Sequence, residues 1–140
     1  MASAENSTIE ANRALIEDYF RESTTGTIEG LFDFYTEDVV LETPGRNFMS
    51  GTHYGKSGVR EYLEHNTSNF SGGVLPETTV HSILADVDYA VVVHTTRFAL
   101  PKKEPFDARR VVTYGIRDGK ICAVTLYEHD QYGVDNLLAG

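Results

Sequence analysis

Four side chains on segments rich in β-branched residues could donate or remove a proton in a small-molecule pocket. They are His94, Glu42, His129 and Asp130. A histidine or carboxylate within hydrogen-bond reach of a substrate supplies general acid or base catalysis when its surroundings bring its pKa toward neutrality. These residues therefore favour acid/base chemistry, provided that the fold turns at least one of them toward a cavity.

His129 and Asp130 are alternatives, because successive side chains of a strand point to opposite faces. Tyr127 and His129 would share one face, whereas Glu128 and Asp130 would share the other. A bulge at the end of the strand would break this alternation. Asp130 also suits the N-cap of the segment 131–138, so both a structural cap and a catalytic acid remain open for it.

The other two candidates also have structural alternatives. His94 follows the apolar run 90–93, so it is either a hydrogen-bonded histidine of the sheet or a base that faces the pocket. Glu42 lies between Leu41 and Thr43 on a predicted strand. If these neighbours face the cavity, Glu42 faces the opposite side, where a solvated or interface carboxylate is expected.

Several tyrosines are candidates for the pocket wall, because a buried phenol needs a partner and can donate to a ligand carbonyl. The candidates are Tyr19, Tyr35, Tyr54, Tyr114 and Tyr127, and Tyr127 has the best position among them. Core packing is the alternative for each of these rings.

No pattern for a metal or a cofactor is present in the sequence. The histidines at positions 53, 65, 81, 94 and 129 form no short ligand motif, and the single cysteine, Cys122, lies in a predicted strand. No Gly-rich turn joins a strand to a helix as in a dinucleotide site. We therefore predict no metal and no cofactor.

The composition limits the number of domains and the kinds of partner. The chain has 140 residues with 41% hydrophobic content, which suits one domain over residues 1–140. Its formal net charge of -9 repels nucleic-acid phosphates and anionic lipids, so we expect neither nucleic acid nor membrane as a partner. The first residues lack the basic and apolar regions of a secretion signal, and a cytoplasmic location is expected.

Helical periodicity is confined to the first half of the chain. Ser7 and Glu10 match a capping box, which predicts a helix that starts at Ser7 after a frayed terminus. A short second helix is predicted over 27–38, a strand over 39–43 and a third helix from about Ser57. The stretch between that strand and the third helix is predicted to be a loop.

Strand patterns fill the second half. Four strands are predicted, over 77–84, 89–100, 108–117 and 120–129. Asp118-Gly119 suits a two-residue hairpin turn that needs positive φ, so the last two strands should pair. The predicted fold class is therefore α+β, with three N-terminal helices over a curved antiparallel sheet that surrounds a pocket.

Five segments in this order carry a resemblance to a known superfamily. They are residues 35–40, 44–47, 50–56, 117–121 and 130–135, which together span nearly the whole chain. The chain resembles the nuclear transport factor 2-like superfamily, particularly its SnoaL-like polyketide cyclase and ketosteroid isomerase-related branch. The resemblance implies a cone-shaped sheet around a largely apolar pocket, a homodimer through the outer face, and relatives that isomerise steroids, cyclise polyketides or hydrolyse epoxides.

The carboxylates of steroid-isomerase-like members are missing from this chain. Their general base precedes a proline, and the residue before Pro44 is Thr43. Their second carboxylate falls on Val112 or Thr113. Threonine does not act as a base near neutral pH, so the resemblance leaves Thr43 and Thr113 as substrate contacts at most.

Other members of the branch suggest different site residues. Limonene-epoxide-hydrolase-like members use two carboxylates and an arginine, and the resemblance places Asp130 and either Arg109 or Arg110 at two of these positions. SnoaL-like cyclases remove a proton α to a carbonyl in an apolar cavity. His53 and Tyr54 lie in a segment similar to the mouth of the family's pocket, with ordinary loop exposure as the alternative.

Together these patterns predict a cofactor-independent isomerase, cyclase or epoxide hydrolase that acts on a small, apolar, oxygenated metabolite, in a polyketide-type pathway. The expected catalytic residues are Asp130, His129, His94 and Arg109, and the expected substrate contacts are Tyr127, Tyr35, Tyr19, Thr43, His53, Tyr54 and Thr113. A non-catalytic ligand-binding or dimerisation domain is the alternative. A homodimer is expected, because Val91, Val93 and Thr95 would otherwise expose an apolar sheet face.

Overall fold

The six strands form one curved, unclosed sheet in which the last strand is central. The computed structural model describes residues 3–24, 28–69 and 75–139. In chain order the elements are α1 (Ser3–Ser23), a 3-10 helix (Glu29–Phe34), β1 (Tyr35–Thr43), β2 (Gly51–Tyr54), α2 (Gly55–Asn69), β3 (Glu77–Ala85), β4 (Tyr89–Phe98), β5 (Phe106–Arg117), β6 (Lys120–Glu128) and α3 (Gln131–Leu137). The strand order across the sheet is β2-β1-β6-β5-β4-β3.

The connections between strands explain this order. β3 to β6 form the predicted antiparallel meander, and the turn between β5 and β6 has φ values of 53° at Asp118 and 73° at Gly119. This geometry confirms the predicted hairpin. β1 pairs with β6 in parallel, which is the one parallel pairing in the sheet of the described residues. The α+β class is confirmed.

The N-terminal helices differ from the prediction in their limits. α1 begins at Ser3, so residues 3–6 of the stretch predicted to be frayed are helical and Ser7 lies inside the helix, while residues 1–2 lie outside the described residues. Glu5 stands in its first turn, where a carboxylate interacts favourably with the helix dipole. The helix predicted from residue 57 begins at Gly55.

The predicted second helix is wrong in its last part. Glu29–Phe34 is helical, as a six-residue 3-10 helix, and β1 already starts at Tyr35; residue 27 lies outside the described residues. The register of β1 against β6 shifts between Tyr35 and Val40. Side chains four residues apart share one face of a strand as well as one face of a helix, so the spacing of Tyr35 and Val39 fits both.

A short strand lies inside the predicted loop. β2 pairs antiparallel with β1 at the edge of the sheet, with Leu41 opposite His53. Its four residues are too few for a periodic signal in the sequence. Since α2 follows β2 directly, this strand brings His53 against the first turn of α2.

The inner face of the sheet and the helices enclose the core. On β4 the buried residues alternate as Ala90, Val92, His94, Thr96 and Phe98. α1 is held over the sheet by the Asn12 side chain, which donates to the carbonyl oxygens of Asp86 and Val87 at 2.8 and 3.0 Å. No described helix is long and apolar enough to cross a membrane.

Candidate functional site

An interior cavity of about 110 Å³ lies between the inner face of the sheet and helices α1 and α2. Its apolar wall includes Phe20, Leu31, Leu41, Leu63, Leu75, Val112, Val124 and Leu126. Its polar or aromatic wall includes Tyr19, Tyr62, Asn66, His94, Thr96, Arg110 and Tyr114. A mostly apolar cavity with a few polar groups is the usual form of a small-molecule site.

A buried ion pair between Arg110 and Glu128 is the only close pair of opposite charges on the inner face among the described residues. The two residues stand directly opposite each other on β5 and β6. Arg110 Nε lies 3.1 and 2.9 Å from the two carboxylate oxygens, and Nη2 also donates to Glu128 Oε2. The side chains are only 9% and 1% exposed, so the pair acts in a medium that strengthens its charges.

The surroundings of Arg110 keep it charged and leave it able to bind a ligand. Burial opposes the charged form, but the hydrogen bonds and charge of Glu128 outweigh it and raise the pKa of Arg110. The guanidinium lies 5.1 Å from the centre of the Phe98 ring, a cation–π contact. Nη1 donates to no atom of the described residues, so it is a donor for an oxygen of a bound molecule.

His94 supplies an uncharged imidazole to the cavity. It is buried on β4 beside the Phe20 ring, and its Nδ1 lies 3.4 Å from Thr96 Oγ1. Burial, followed by the charges of Arg110 and His81, lowers the pKa of His94 from 6.5 to about 4. At neutral pH the ring is therefore a neutral hydrogen-bonding group.

This lowered pKa predicts a loss of stability in acid. Between pH 6.5 and 4, His94 is protonated in the unfolded chain but not in the folded protein. The free energy of unfolding therefore falls as the pH falls through this range. The shift corresponds to a loss of roughly 3–4 kcal/mol at the most. Urea unfolding at pH 7 and pH 4.5 should show a smaller acid loss in His94→Gln than in the wild type. The exposed histidine gives the control His129→Gln, and equal pH dependence in all three proteins would contradict the prediction.

Buried phenols form a second polar group beside the cavity. The hydroxyl oxygens of Tyr19 and Tyr35 lie 2.5 Å apart, and the Tyr114 ring contacts the Tyr19 ring edge-on at 5.8 Å. Burial raises the pKa of Tyr19 to about 12 and raises the pKa of Tyr35 and of Tyr114 well above the ordinary value. These phenols are therefore neutral, and Tyr19 and Tyr114 can donate to an oxygen in the cavity.

A small polar chamber adjoins the ion pair. It measures about 10 Å³, close to the space that one water molecule needs. Thr43, Asn47, Tyr62, Asn66, Arg110 and Glu128 are among its lining residues. The Thr43 hydroxyl is buried without a hydrogen-bond partner among the described residues, so the chamber has an unused polar group to offer a ligand or a water.

The C-terminal candidates lie outside the cavity. Asp130 is exposed and is the N-cap of α3, where its carboxylate accepts the N–H of Gly133 at 2.8 Å. His129 is also exposed, and its backbone N–H donates to the Arg109 carbonyl at 2.9 Å. Glu128, which sequence reasoning did not select, is the carboxylate that the last strand turns inward.

Three further candidates lie on the outer face of the sheet. Arg109 is exposed, and Tyr127 is 55% exposed. Thr113 is half-buried between its strand partners Val91 and Thr125 on the same face. The expectation that Arg109 and Tyr127 line the pocket is therefore corrected: the structure turns Arg110 and Glu128 inward in their stead.

The remaining candidates divide between the interior and the surface. Tyr19 and His94 line the cavity, and Tyr35 lies behind it through its hydrogen bond to Tyr19. His53 borders a separate outer pocket, and Tyr54 is exposed. Tyr62 and Asn66 were missed, although their spacing on one face of α2 is the helical signal that could have identified them.

The described residues contain no group of three or more His, Cys, Asp or Glu side chains that could hold a metal ion. Arg110, the neutral His94 imidazole and the neutral phenols of Tyr19 and Tyr114 line the interior cavity, whereas Glu128 lines only the small chamber beside it.

Comparison with known proteins identifies similar sequences and folds. A family model described as a SnoaL-like domain matches residues 16–124. Among curated proteins, none matches the chain significantly.

Three solved structures illustrate the likeness in fold. Bal32a, from a soil-derived mobile gene cassette, has a TM-score of 0.85 at 17% identity and covers 94% of this chain and 98% of its own. An NTF2-like protein from Burkholderia xenovorans LB400 has a TM-score of 0.72 at 19% identity, with coverage of 91% and 96%. The epoxide hydrolase/cyclase-like enzyme SalBIII, which acts in pyran ring formation in the polyether salinomycin, has a TM-score of 0.72 at 17% identity, with coverage of 86% and 93%.

Proposed function

Since this chain belongs to the SnoaL-like domain family, we propose that it is a cofactor-independent acid/base enzyme for a small, largely apolar, oxygenated molecule. The observation that carries the proposal is the buried Arg110–Glu128 pair beside an apolar cavity. A buried charge pair is often no more stabilising than a well-packed apolar pair. Its presence beside a cavity therefore favours a chemical role.

Glu128 is the proposed base. Arg110 keeps its charge and neutralises the carboxylate at rest. A substrate carbonyl whose oxygen binds Nη1 would lie beside the Glu128 carboxylate. The carboxylate would then accept a proton from the carbon next to that carbonyl. Proton transfer from carbon to Glu128 moves negative charge onto the oxygen, where Arg110 holds it. Return of the proton at a second carbon gives an isomer. Alternatively, the enolate carbon attacks a second carbonyl and closes a ring, and the alkoxide formed takes the proton back from Glu128.

The neutral groups of the cavity are the proposed orienting donors. Tyr19 and Tyr114 donate to the developing oxyanion without a competing charge. His94 is neutral at working pH and fixes a second polar atom of the substrate. The apolar wall excludes water, and the likeness to SalBIII supports a substrate from polyketide-type metabolism.

Deuterium exchange in heavy water tests this proposal before the natural substrate is identified. Cyclohexenone and 2-tetralone are suitable probes, because their α protons are acidic enough for exchange and their rings are apolar. Proton NMR should show protein-dependent deuterium incorporation at the α carbon. Hydrolysis of styrene oxide without such exchange would select epoxide hydrolysis and reject the enolate chemistry. Absence of both reactions would overturn the enzymatic proposal.

A non-catalytic ligand-binding domain is the second candidate, and a specific observation favours it. Both oxygens of Glu128 already accept hydrogen bonds from Arg110, so the carboxylate has a structural partner without any substrate. Neither Thr43 nor Val112 supplies a replacement. This candidate predicts that the probe ketones bind in the cavity and broaden cavity resonances without any α-proton exchange.

We also propose a homodimer through the outer face of the sheet. Val111 lies near the middle of this face, opposite Val93 and Tyr127, and is itself exposed. Leu84 on β3 is 59% exposed. An apolar face of this kind favours association with a second copy. Light scattering at micromolar concentration should give a mass near twice 15.6 kDa, and Val111→Asp should give a monomer. A wild-type mass near 15.6 kDa would contradict the proposal.

A further inference from the structure

A second pocket lies outside the inner face of the sheet, between α2 and the segment that contains β2. Its volume is about 240 Å³. Its lining residues are Phe48, Met49, His53, Glu61, Tyr62 and His65. Tyr62 is the one residue that it shares with the interior cavity, so the ring of Tyr62 is a common wall of the two spaces.

Aromatic rings make up most of the wall of this outer pocket. The His53 ring lies 4.9 Å from the Tyr62 ring, and Phe48 contacts His65 edge-on at 6.0 Å. Phe48 is 44% exposed, so part of its ring is open to a ligand in the pocket. Flat rings at these separations form a surface on which another planar ring can stack.

The charge of the outer pocket is negative. Glu61 is exposed at its edge and makes no ion pair or hydrogen bond with any described residue. The two basic residues of α2 are engaged elsewhere: Lys56 pairs with Glu37, and Arg60 pairs with Glu29. No arginine or lysine is among the lining residues, and the Glu61 carboxylate forms no ion pair with either lining histidine.

We propose that the outer pocket binds a planar aromatic molecule that carries a cationic amine. The aromatic ring of this ligand stacks between Phe48 and Tyr62, and its ammonium group pairs with Glu61. A cation beside these aromatic faces gains further attraction from the ring quadrupoles. An anionic ligand would meet an uncompensated carboxylate and is disfavoured.

Three indole probes with different charges test this proposal directly. Tryptamine is cationic, tryptophol is neutral and indole-3-acetate is anionic, while the ring is the same. The protein has no tryptophan, so indole fluorescence excited beyond the tyrosine band reports the probe alone. Tryptamine should bind saturably and about fivefold more tightly than tryptophol, the size expected for one partly exposed charge and cation–π contact. Indole-3-acetate should bind most weakly.

Matched variants on the same helix locate the site. Glu61→Gln should reduce tryptamine affinity to that of tryptophol, whereas Glu64→Gln, the same change outside the pocket, should leave it unchanged. Amide chemical shifts over residues 48–65 should move on tryptamine addition in the wild type and provide a readout that does not depend on a variant folding. Equal affinity for the three probes, or equal effects of Glu61→Gln and Glu64→Gln, would overturn the proposal.

Discussion

Exchange of the Glu128 carboxylate for an amide is expected to slow α-proton exchange of the probe ketones at least about a hundredfold. Glutamine has the shape of glutamate and still accepts a hydrogen bond from Arg110, but it cannot take up a proton from carbon. The measurement is deuterium incorporation at saturating probe in wild type and Glu128→Gln. It is made below the melting temperature of both, since the unpaired Arg110 will lower the stability of the variant.

Asp130→Asn is the matched control for this experiment. Asp130 is exposed and caps α3 through the N–H of Gly133, and asparagine caps a helix nearly as well as aspartate. The rate of α-proton exchange of the probe ketones should therefore barely change in Asp130→Asn. If Asp130→Asn loses about a hundredfold while Glu128→Gln keeps its activity, the catalytic carboxylate is Asp130, as its place near the end of the last strand first suggested.

The second large effect concerns stability. Glu128→Ala should lower the free energy of unfolding by about 3–5 kcal/mol, because it leaves the Arg110 guanidinium buried without its counter-charge. Asp107 is the matched control: it stands opposite Arg97 on β5 and β4, and both side chains of that pair are about half exposed. Asp107→Ala should cost less than about 1 kcal/mol in urea unfolding.

A double variant separates the structural from the chemical role of the ion pair. Arg110→Met with Glu128→Leu replaces the charges by apolar side chains of similar length, which should restore most of the stability lost in Glu128→Ala. The same double variant should have no α-proton exchange. A double variant as unstable as Glu128→Ala would contradict this account, since the cost would then not come from an uncompensated charge.

The sequence predicts the elements of this fold better than the composition of its site. The Asp118-Gly119 turn, the strand patterns and the order of helices before strands are local signals, and all three are confirmed. Which side chains face the interior depends on strand register, and strand register is not a local property of the sequence. If the register next to the turn, with Arg117 opposite Lys120, continued along both strands, Arg110 would pair with Tyr127. A shift between Gly115 and Ile116 sets it opposite Glu128.

The candidate carboxylate Glu128 was missed for a different reason. The alternation along the last strand correctly grouped Glu128 with Leu126, whose side chain is buried. The resemblance instead selected Asp130, because sequence position alone does not distinguish the last inward residue of β6 from the residue that caps α3. The choice between Arg109 and Arg110 had the same origin, since one residue of register reverses every side chain on a strand.

The parallel pairing of β1 with β6 also affects the order in which the strands can pair during synthesis. β1 is synthesised early, but one of its two neighbours in the sheet is β6, the last strand. Leu41 therefore has no partner on that edge of β1 until Val124 has been synthesised. A nascent chain that has not reached Lys120 presents an unpaired strand edge next to a half-built apolar wall, a state prone to association. This pairing joins two strands that lie far apart in the sequence, and non-local contacts of this kind slow folding.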